Sequence, residues 1–537
     1  MVDRPRQRSV TRQPIAGPDW VADAVFYQVF PDRFASSSRV RKPGPLEPWE
    51  TLPTHHGFKG GDLLGIVEHL DEIAGLGITA LYLTPVFASA SNHRYHAYDY
   101  ERVDPMLGGD AALRELLDEA HRRGMRVILD GVFNHTGRGF WAFHHILENG
   151  THSPYRDWFH LDAEVLDGRR PIVAYPAIRR RAAVTDAAED PWPPDDESFG
   201  YRAWWNLPAL PKLNHSNPEV REHIFGVAQH WLRFGIDGWR LDVPEEITEP
   251  GFWAEFRRRC LAVKPDAYLV GEIWRPAPEW LAGDRFHGLM NYPLAEAILS
   301  FTGGTHLDMG LVHTAHELGR YVSPIDAPEF ARRLQAVMET YSPEVTARQL
   351  NLLDSHDTPR FVSMAGDDTA ALRLATLVQM TLPGAPCIYY GDEVGLRGRE
   401  DPDCRRGFPW DPAAQDRSLR DFIAGLIAVR RFEPLLRHGR FEVLAAENSA
   451  VAYRLFETAD VAGGRAGRRS ERSLLVALNA GDQSARLKAP LPGNVTAKQV
   501  SWPGCEPRSI VAPRHRAGAL ELDIQAREGT IIELVPA

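Results

Sequence analysis

The chain has 537 residues, 44% of them hydrophobic and 25% charged, with a formal net charge of -11. That length exceeds one ordinary core and points to two to four structural units, one of them large enough for an α/β barrel. The acidic balance excludes a nucleic-acid partner, which demands a basic stripe, and no run of about 18 apolar residues is present to span a membrane.

Residues 1–20, MVDRPRQRSVTRQPIAGPDW, carry charge and are followed by no apolar secretory core, so an N-terminal tail and a cytoplasmic location are expected. Short β-rich runs follow in turn: AVFYQVF (24–30), ITALYLTPV (78–86), MRVILDGVF (125–133), IDGWRLDV (236–243) and AYLVGEIW (267–274). HGLMNYP (287–293), ARQLNLLDSHD (347–357) and APCIYYGDEVG (385–395) complete a set of eight. Helical stretches separate them. LLGIVEHLDEIAGLG (63–77) and AALRELLDEAHRRG (111–124) each read as one amphipathic helix ending at Gly. Eight strand–helix repeats predict a (β/α)8 TIM barrel over 21–135 and 211–436, although an open doubly wound sheet satisfies the same pattern. Residues 136–210, with PWPPDDESFGYRAWWN, break the rhythm after the third strand and read as a functional inserted domain. Over 437–537 the runs SAVAYRLFE, SLLVALNA, SARLKAP and TIIELVPA alternate and predict a C-terminal antiparallel β-sandwich. TADVAGGRAGRRSERS (458–473) has nothing to bury and reads as a hairpin loop within it. The four cysteines, Cys260, Cys387, Cys404 and Cys505, lie far apart without a CxxC pair and are expected as incidental thiols.

In such a barrel, side chains at the C-terminal strand ends converge on one site. Acidic residues gather there: Asp130 on the third strand, Asp242 on the fourth, Glu272 on the fifth, Asp354 and Asp357 on the seventh, Asp392 and Glu393 on the eighth. A carboxylate ending an apolar strand costs desolvation energy and needs partners, for which Arg240, His135, His356 and Asn134 are placed. Tyr98, Trp239, Trp274 and Tyr389 could stack on sugar faces. Clustered carboxylates also suit an oxygen-ligated Mg²⁺ or Ca²⁺ site. Cleaving a glycosidic bond needs one ionised and one protonated carboxyl. Arg240 beside Asp242 would keep it ionised while neighbouring negative charge keeps Glu272 protonated.

DGVFNH (130–135), GWRLDV (238–243), GEIW (271–274) and LLDSHD (352–357) resemble the four signature regions of the α-amylase family, glycoside hydrolase family 13. FYQVFPDRF (26–34), FKGGDLLGI (58–66) and CIYYGDEVG (387–395) extend the likeness over residues 20–435, with 136–210 similar to domain B and the C-terminal sheet to domain C. The resemblance implies a retaining α-glycoside hydrolase with Asp242 as nucleophile, Glu272 as acid/base and Asp357 as the third acid. It implies substrate contacts from His96 and Tyr98 in YHAYDY, from His135, Arg240 and His356, and from Asp401 and Arg405 in DPDCRR. LPKLN (210–214), with Glu246 and Trp274 on the acceptor side, resembles most the cyclomaltodextrinase, neopullulanase and maltogenic amylase group. That group carries an extra N-terminal β-domain that builds its dimer, whereas here the barrel begins near residue 24, and His96 and Tyr98 resemble ordinary α-amylases instead.

The implied partner is an α-glucan or maltooligosaccharide, with no nucleic acid or membrane, acting on a monomer or homodimer. No cofactor is implied as required; a structural calcium is the one ion in question, with Asn134 matching a ligand position. A 4-α-glucanotransferase shares the chemistry up to the covalent intermediate, and a catalytically dead binding subunit would lack the acids. His55-His56 and His144-His145 read as solvent-facing pairs, Trp204-Trp205 as domain B core rather than a stacking wall, and Arg179–Arg181 as a solvated face.

Overall fold

Runs such as Phe26–Val29 and Ala385–Tyr389 are buried along their whole length, the mark of parallel strands covered on both faces. This computed structural model describes residues 17–176, 199–457, 472–491, 495–503, 514–516 and 518–536. Its first sheet consists of β1 Phe26–Val29, β2 Ala80–Leu83, β3 Arg126–Gly131, β4 Gly238–Leu241, β5 Tyr268–Gly271, β6 Gly288–Leu289, β7 Leu350–Leu352 and β8 Ala385–Tyr389. One of these strands lies in each of the eight predicted runs. The order is β6-β5-β4-β3-β2-β1-β8-β7, and every pair is parallel. A parallel bridge between Met290 and Leu350 joins the two ends, with Asn291 N–H donating to Leu350 O at 2.8 Å. The sheet is therefore a barrel, and the open doubly wound alternative is overturned. Gly288 makes that seam possible, since a Cβ there would sit 2.0 Å from Arg348 O.

The helices cover the barrel with apolar stripes. Pro218–Phe234 starts at Asn217, whose side chain accepts from Glu219 N, and buries Val220, Ile224, Val227 and Trp231 toward the strands. One predicted helix is broken: 63–77 forms Leu63–Glu68 and Leu70–Leu76, separated at His69. At the break the His69 backbone leaves the helical region, and its ring stacks on Trp410 with centroids 3.6 Å apart.

Beyond the barrel come β9 Arg440–Glu447, β10 Ala450–Phe456, β11 Ser473–Asn479, β12 Ala485–Pro490, β13 Val495–Val500, β14 Arg514–Arg516, β15 Ala519–Ile524 and β16 Glu528–Pro536. They form antiparallel sheets ordered β9-β10-β11-β16-β13 and β12-β15-β14, around their own core of Leu475, Leu487, Leu520, Leu522 and Ile532. Cys260, Cys387 and Cys404 are buried and free. Most of the tail, Arg179–Arg181, Cys505 and loop residues 458–471 lie outside the described residues. Among the described residues no helix is long and apolar enough to cross a membrane.

Candidate active site

Strand register brings the first acids together. Asp130 on β3 is the Cα partner of Arg240 on β4. The ladder then runs one residue past the strand ends: Asp242 N–H donates to Gly131 O at 3.1 Å, and Glu272 N–H to Leu241 O at 3.0 Å. Arg240, fully buried, is the hub. Its Nη1 donates to Asp130 Oδ1 and to Asp242 Oδ1, each at 2.9 Å, while Nη2 lies 3.0 Å from Glu272 Oε2 but off the hydrogen-bond line. Glu272 Oε2 also accepts from Val243 N at 3.0 Å. Asp242 Oδ2 is buried with no hydrogen-bond partner among the described residues. Burial raises the proton affinity of both carboxyls, Arg240 opposes it, and nearby carboxylate charge adds to it. Glu272 is pushed up to about 7.

The third acid sits on a second chain of contacts. Gln28 Nε2–H donates to His356 Nδ1 at 2.9 Å, which leaves the proton of the neutral imidazole on Nε2, 3.2 Å from Asp357 Oδ2. Burial lowers His356 well below the usual histidine range, so the ring stays uncharged. Tyr95 stacks on it with planes 6° apart and donates its hydroxyl to Asp130 Oδ2 at 2.9 Å. Arg405 reaches Asp357 Oδ1 at 3.3 Å, Asp401 Oδ1 at 2.9 Å and the His356 carbonyl at 2.7 Å.

These groups open onto a cavity of about 290 Å³. Asp242, Glu272, Asp357, Asp401 and Arg405 line it, as do His96 and Trp274, the latter stacked on Tyr292 at 3.6 Å. A larger cavity, about 660 Å³, opens beside Asp19, Arg348 and Pro383, before the strands begin, and contains none of these acids. Size does not mark the site here; the strand-end carboxylates do.

Several expected positions need correction. Tyr98 does not line the cavity: it sits in the hairpin strand Ala97–Val103 beside Gly139. Tyr95 and His93 line it instead. Between them Arg94 has φ +61 and is held by Asp104 at 3.0 Å, a turn that swings Tyr95 toward His356. Trp204 and Trp205, expected as core, form a stacked pair on the cavity wall, with Trp205 51% exposed. His135 stands one layer behind, its ring parallel to Trp204 at 4.8 Å and its proton affinity cut by burial to about 3. Glu246 faces a neighbouring cavity and pairs with Lys212 at 2.6 Å. Trp239 and Tyr389 are wholly buried and face no substrate space. Leu207, Leu210 and Glu317 also line the wall; Leu210 opens the LPKLN run, and no motif pointed to Leu207 or Glu317.

Asp354, Asp392 and Glu393 belong to a separate closed network. Arg360 donates to Asp392 Oδ1 at 3.1 Å, Phe361 N–H to Asp354, Tyr27 to Glu393 Oε1 at 2.7 Å and Gly391 N–H to Glu393 Oε2 at 2.9 Å. Calcium finds little here. Asn134 Oδ1 is buried without a partner, but among the described residues no three His, Cys, Asp or Glu side chains cluster as ligands. One amide oxygen falls far short of the six to eight oxygens calcium takes, so no role is derived through it.

The chain matches the family model described as Alpha amylase, catalytic domain, over residues 28–426. It is 39% identical to a cyclomaltodextrinase of Geobacillus thermopakistaniensis, covering 88% of this chain and 71% of the relative. The solved structure of the Nostoc punctiforme debranching enzyme shares 42% identity and superposes with a TM-score of 0.80, covering 97% of this chain and all of that one. A cyclic α-maltosyl-(1→6)-maltose hydrolase of Arthrobacter globiformis shares 37% identity at a TM-score of 0.75, covering 88% and 93% of the two chains.

Proposed function

This chain belongs to the α-amylase family and is a glycosidase; from that premise we propose that it is a retaining hydrolase of α-1,4-glucosidic bonds in maltooligosaccharides, cyclodextrins or starch-type glucans. The observation that carries the reading is the shared guanidinium: Arg240 holds Asp242 by one oxygen, leaves Oδ2 without a partner and keeps Glu272 alongside. In the first step a carboxylate oxygen of Asp242 attacks the anomeric carbon, the glycosidic C–O bond breaks, and the leaving oxygen takes the proton of Glu272. In the second, Glu272 removes a proton from water, the water oxygen attacks the same carbon, and the bond to Asp242 breaks. Two inversions return the α-anomer. A half-protonated Glu272 near neutral pH suits this double duty, and a placed general acid contributes about 10²–10⁴-fold.

Asp357, braced by Arg405 and His356, offers its oxygens to hydroxyls of the reacting sugar. The neutral imidazoles of His93 and His96 give uncharged hydrogen-bonding edges, and the Trp204–Trp205 pair and Trp274 give stacking faces. A sugar hydroxyl in place of water would give transfer, for which the Lys212–Glu246 pair, lining the neighbouring cavity, is the acceptor-side candidate. A second reading, cleavage of α-1,6 bonds at branch points, is favoured by the likeness to the Nostoc debranching enzyme.

The test is the initial rate on β-cyclodextrin, soluble starch and pullulan, with products separated by chromatography and their first-formed anomer read by NMR. α-Maltose and glucose released fastest from the ring support the reading. A β-anomer formed first would rule out double displacement, and faster pullulan cleavage would move the bond specificity to α-1,6.

A further inference from the structure

A second cavity, about 360 Å³, is comparable in size to the catalytic one. It lies against the helices Tyr292–Gly303 and Ala327–Glu339, lined by Pro276, Val337 and the rings of Tyr321 and Tyr341. Tyr341 is fixed, its hydroxyl oxygen accepting from Ala277 N at 2.9 Å. Tyr321 is 62% exposed, unusual for so large a ring. Glu296 lines the same space, half buried, with no hydrogen bond or ion pair to any described residue.

Charge narrows the occupant. Three arginines reach the cavity, but each is already engaged: Arg332 and Arg333 with Glu329 at 2.6 and 2.9 Å, Arg275 with Glu245 and Glu279 at 2.5 and 3.1 Å. An anion would meet spent cations and the Glu296 carboxyl, and a cation would meet three guanidiniums. A neutral polyhydroxylated ligand meets neither penalty. Tyrosine faces suit the apolar faces of pyranose rings, and an unpartnered carboxyl accepts from, or when protonated donates to, sugar hydroxyls. Burial pushes Glu296 up to about 8, which agrees with a neutral ligand.

The position narrows it again. Arg275 directly follows Trp274, and Tyr321 comes four residues after Glu317; Trp274 and Glu317 both line the catalytic cavity. The Glu317 carboxylate also acts on the charge of Glu296, which places the two linings near one another. We propose that the cavity bounded by Tyr321, Tyr341 and Glu296 is a second α-glucan site, which seats a remote stretch of a long chain while its reacting bond lies between Asp242 and Glu272. This rests on the α-glucan reading of the cleft.

The test uses full-length protein carrying Asp242→Asn, which stops turnover and leaves both cavities in place, run in native gels containing soluble starch. Adding Tyr321→Ala should weaken the retardation at least about threefold, and adding Glu296→Leu should do the same, with melting temperatures confirming that each variant folds. In otherwise wild-type protein, Tyr321→Ala should lower kcat/KM on starch by a similar factor and leave maltotriose hydrolysis unchanged. Unchanged retardation and an unchanged starch-to-maltotriose ratio in Tyr321→Ala overturn the second site alone. If the wild-type protein hydrolyses no α-glucan, the reading of the cleft fails, and this proposal falls with it.

Discussion

Two groups of carboxylates sit at the same end of the barrel and differ in what is left open. Asp354, Asp392 and Glu393, after β7 and β8, are buried with Arg360, Tyr27 and backbone amides and face no cavity. Asp242, Glu272 and Asp357 are also braced by arginine, but each lines the cavity. Burial raises the proton affinity of Asp354, Asp392 and Glu393 just as it does that of Asp242 and Glu272. A raised proton affinity therefore does not separate a working acid from a structural one. A place on the wall of the catalytic cavity does.

The sharpest way to break this contrast is to remove one acid from each group. Asp242→Asn should lower kcat/KM by at least about 10³-fold, because the attacking oxygen is gone, while the melting temperature holds or rises once a buried carboxyl is neutralised. Asp392→Ala should do the reverse. It leaves Arg360 short of its partner, costs about 3 kcal/mol of stability, and keeps kcat of the folded fraction within about threefold. Calorimetry and kinetics on the two variants decide it. An Asp392→Ala enzyme that is stable and inactive would put the closed network into the chemistry.

A gentler contrast separates two tyrosines three residues apart. Tyr95→Phe removes a hydroxyl that bonds a buried carboxylate and touches His356, an interaction worth about 1.5–3 kcal/mol. Its kcat/KM should fall about tenfold or more. Tyr98→Phe, outside the cavity, should stay within about twofold of wild type. Equal losses in the two would return Tyr98 to the site.

That pair also shows where the sequence stops being legible. The barrel could be read because eight apolar runs have a period, and the strand-end acids could be read because each closes one of those runs. Asp130, Arg240, Asp242 and Glu272 lie on or one step past strands, where register alone brings them together. Tyr95 and Tyr98 lie on a hairpin, and the choice between them hangs on the positive φ of Arg94 and its bond to Asp104, which no periodicity announces. Trp204 and Trp205 gave the same difficulty: two tryptophans fit a core as well as a wall, and the left-handed backbone at Trp205 decides in favour of the wall. Glu317 comes from a short helix, His316–Gly319, far from any signature run. Asp354, Asp392 and Glu393 failed in the opposite sense, since a strand end predicts an acid's position but not whether it faces the cavity.

The last effect concerns what burial does to Glu272 itself. Its folded proton affinity lies near 7 against an ordinary value of 4.5. Between those values the folded state binds more protons than the unfolded chain, so stability falls as pH rises through that window, by about 3 kcal/mol at most. Above pH 7 the penalty is complete; below 4.5 it is absent. Glu272→Gln removes the charge at the same volume and should raise the melting temperature by a few degrees at pH 8, with the gain shrinking toward nothing at pH 4. A gain that stays constant from pH 4 to 8 would mean that Glu272 ionises as it does in water. In that case the carboxyl beside Arg240 would not be a reservoir of protons for the leaving oxygen.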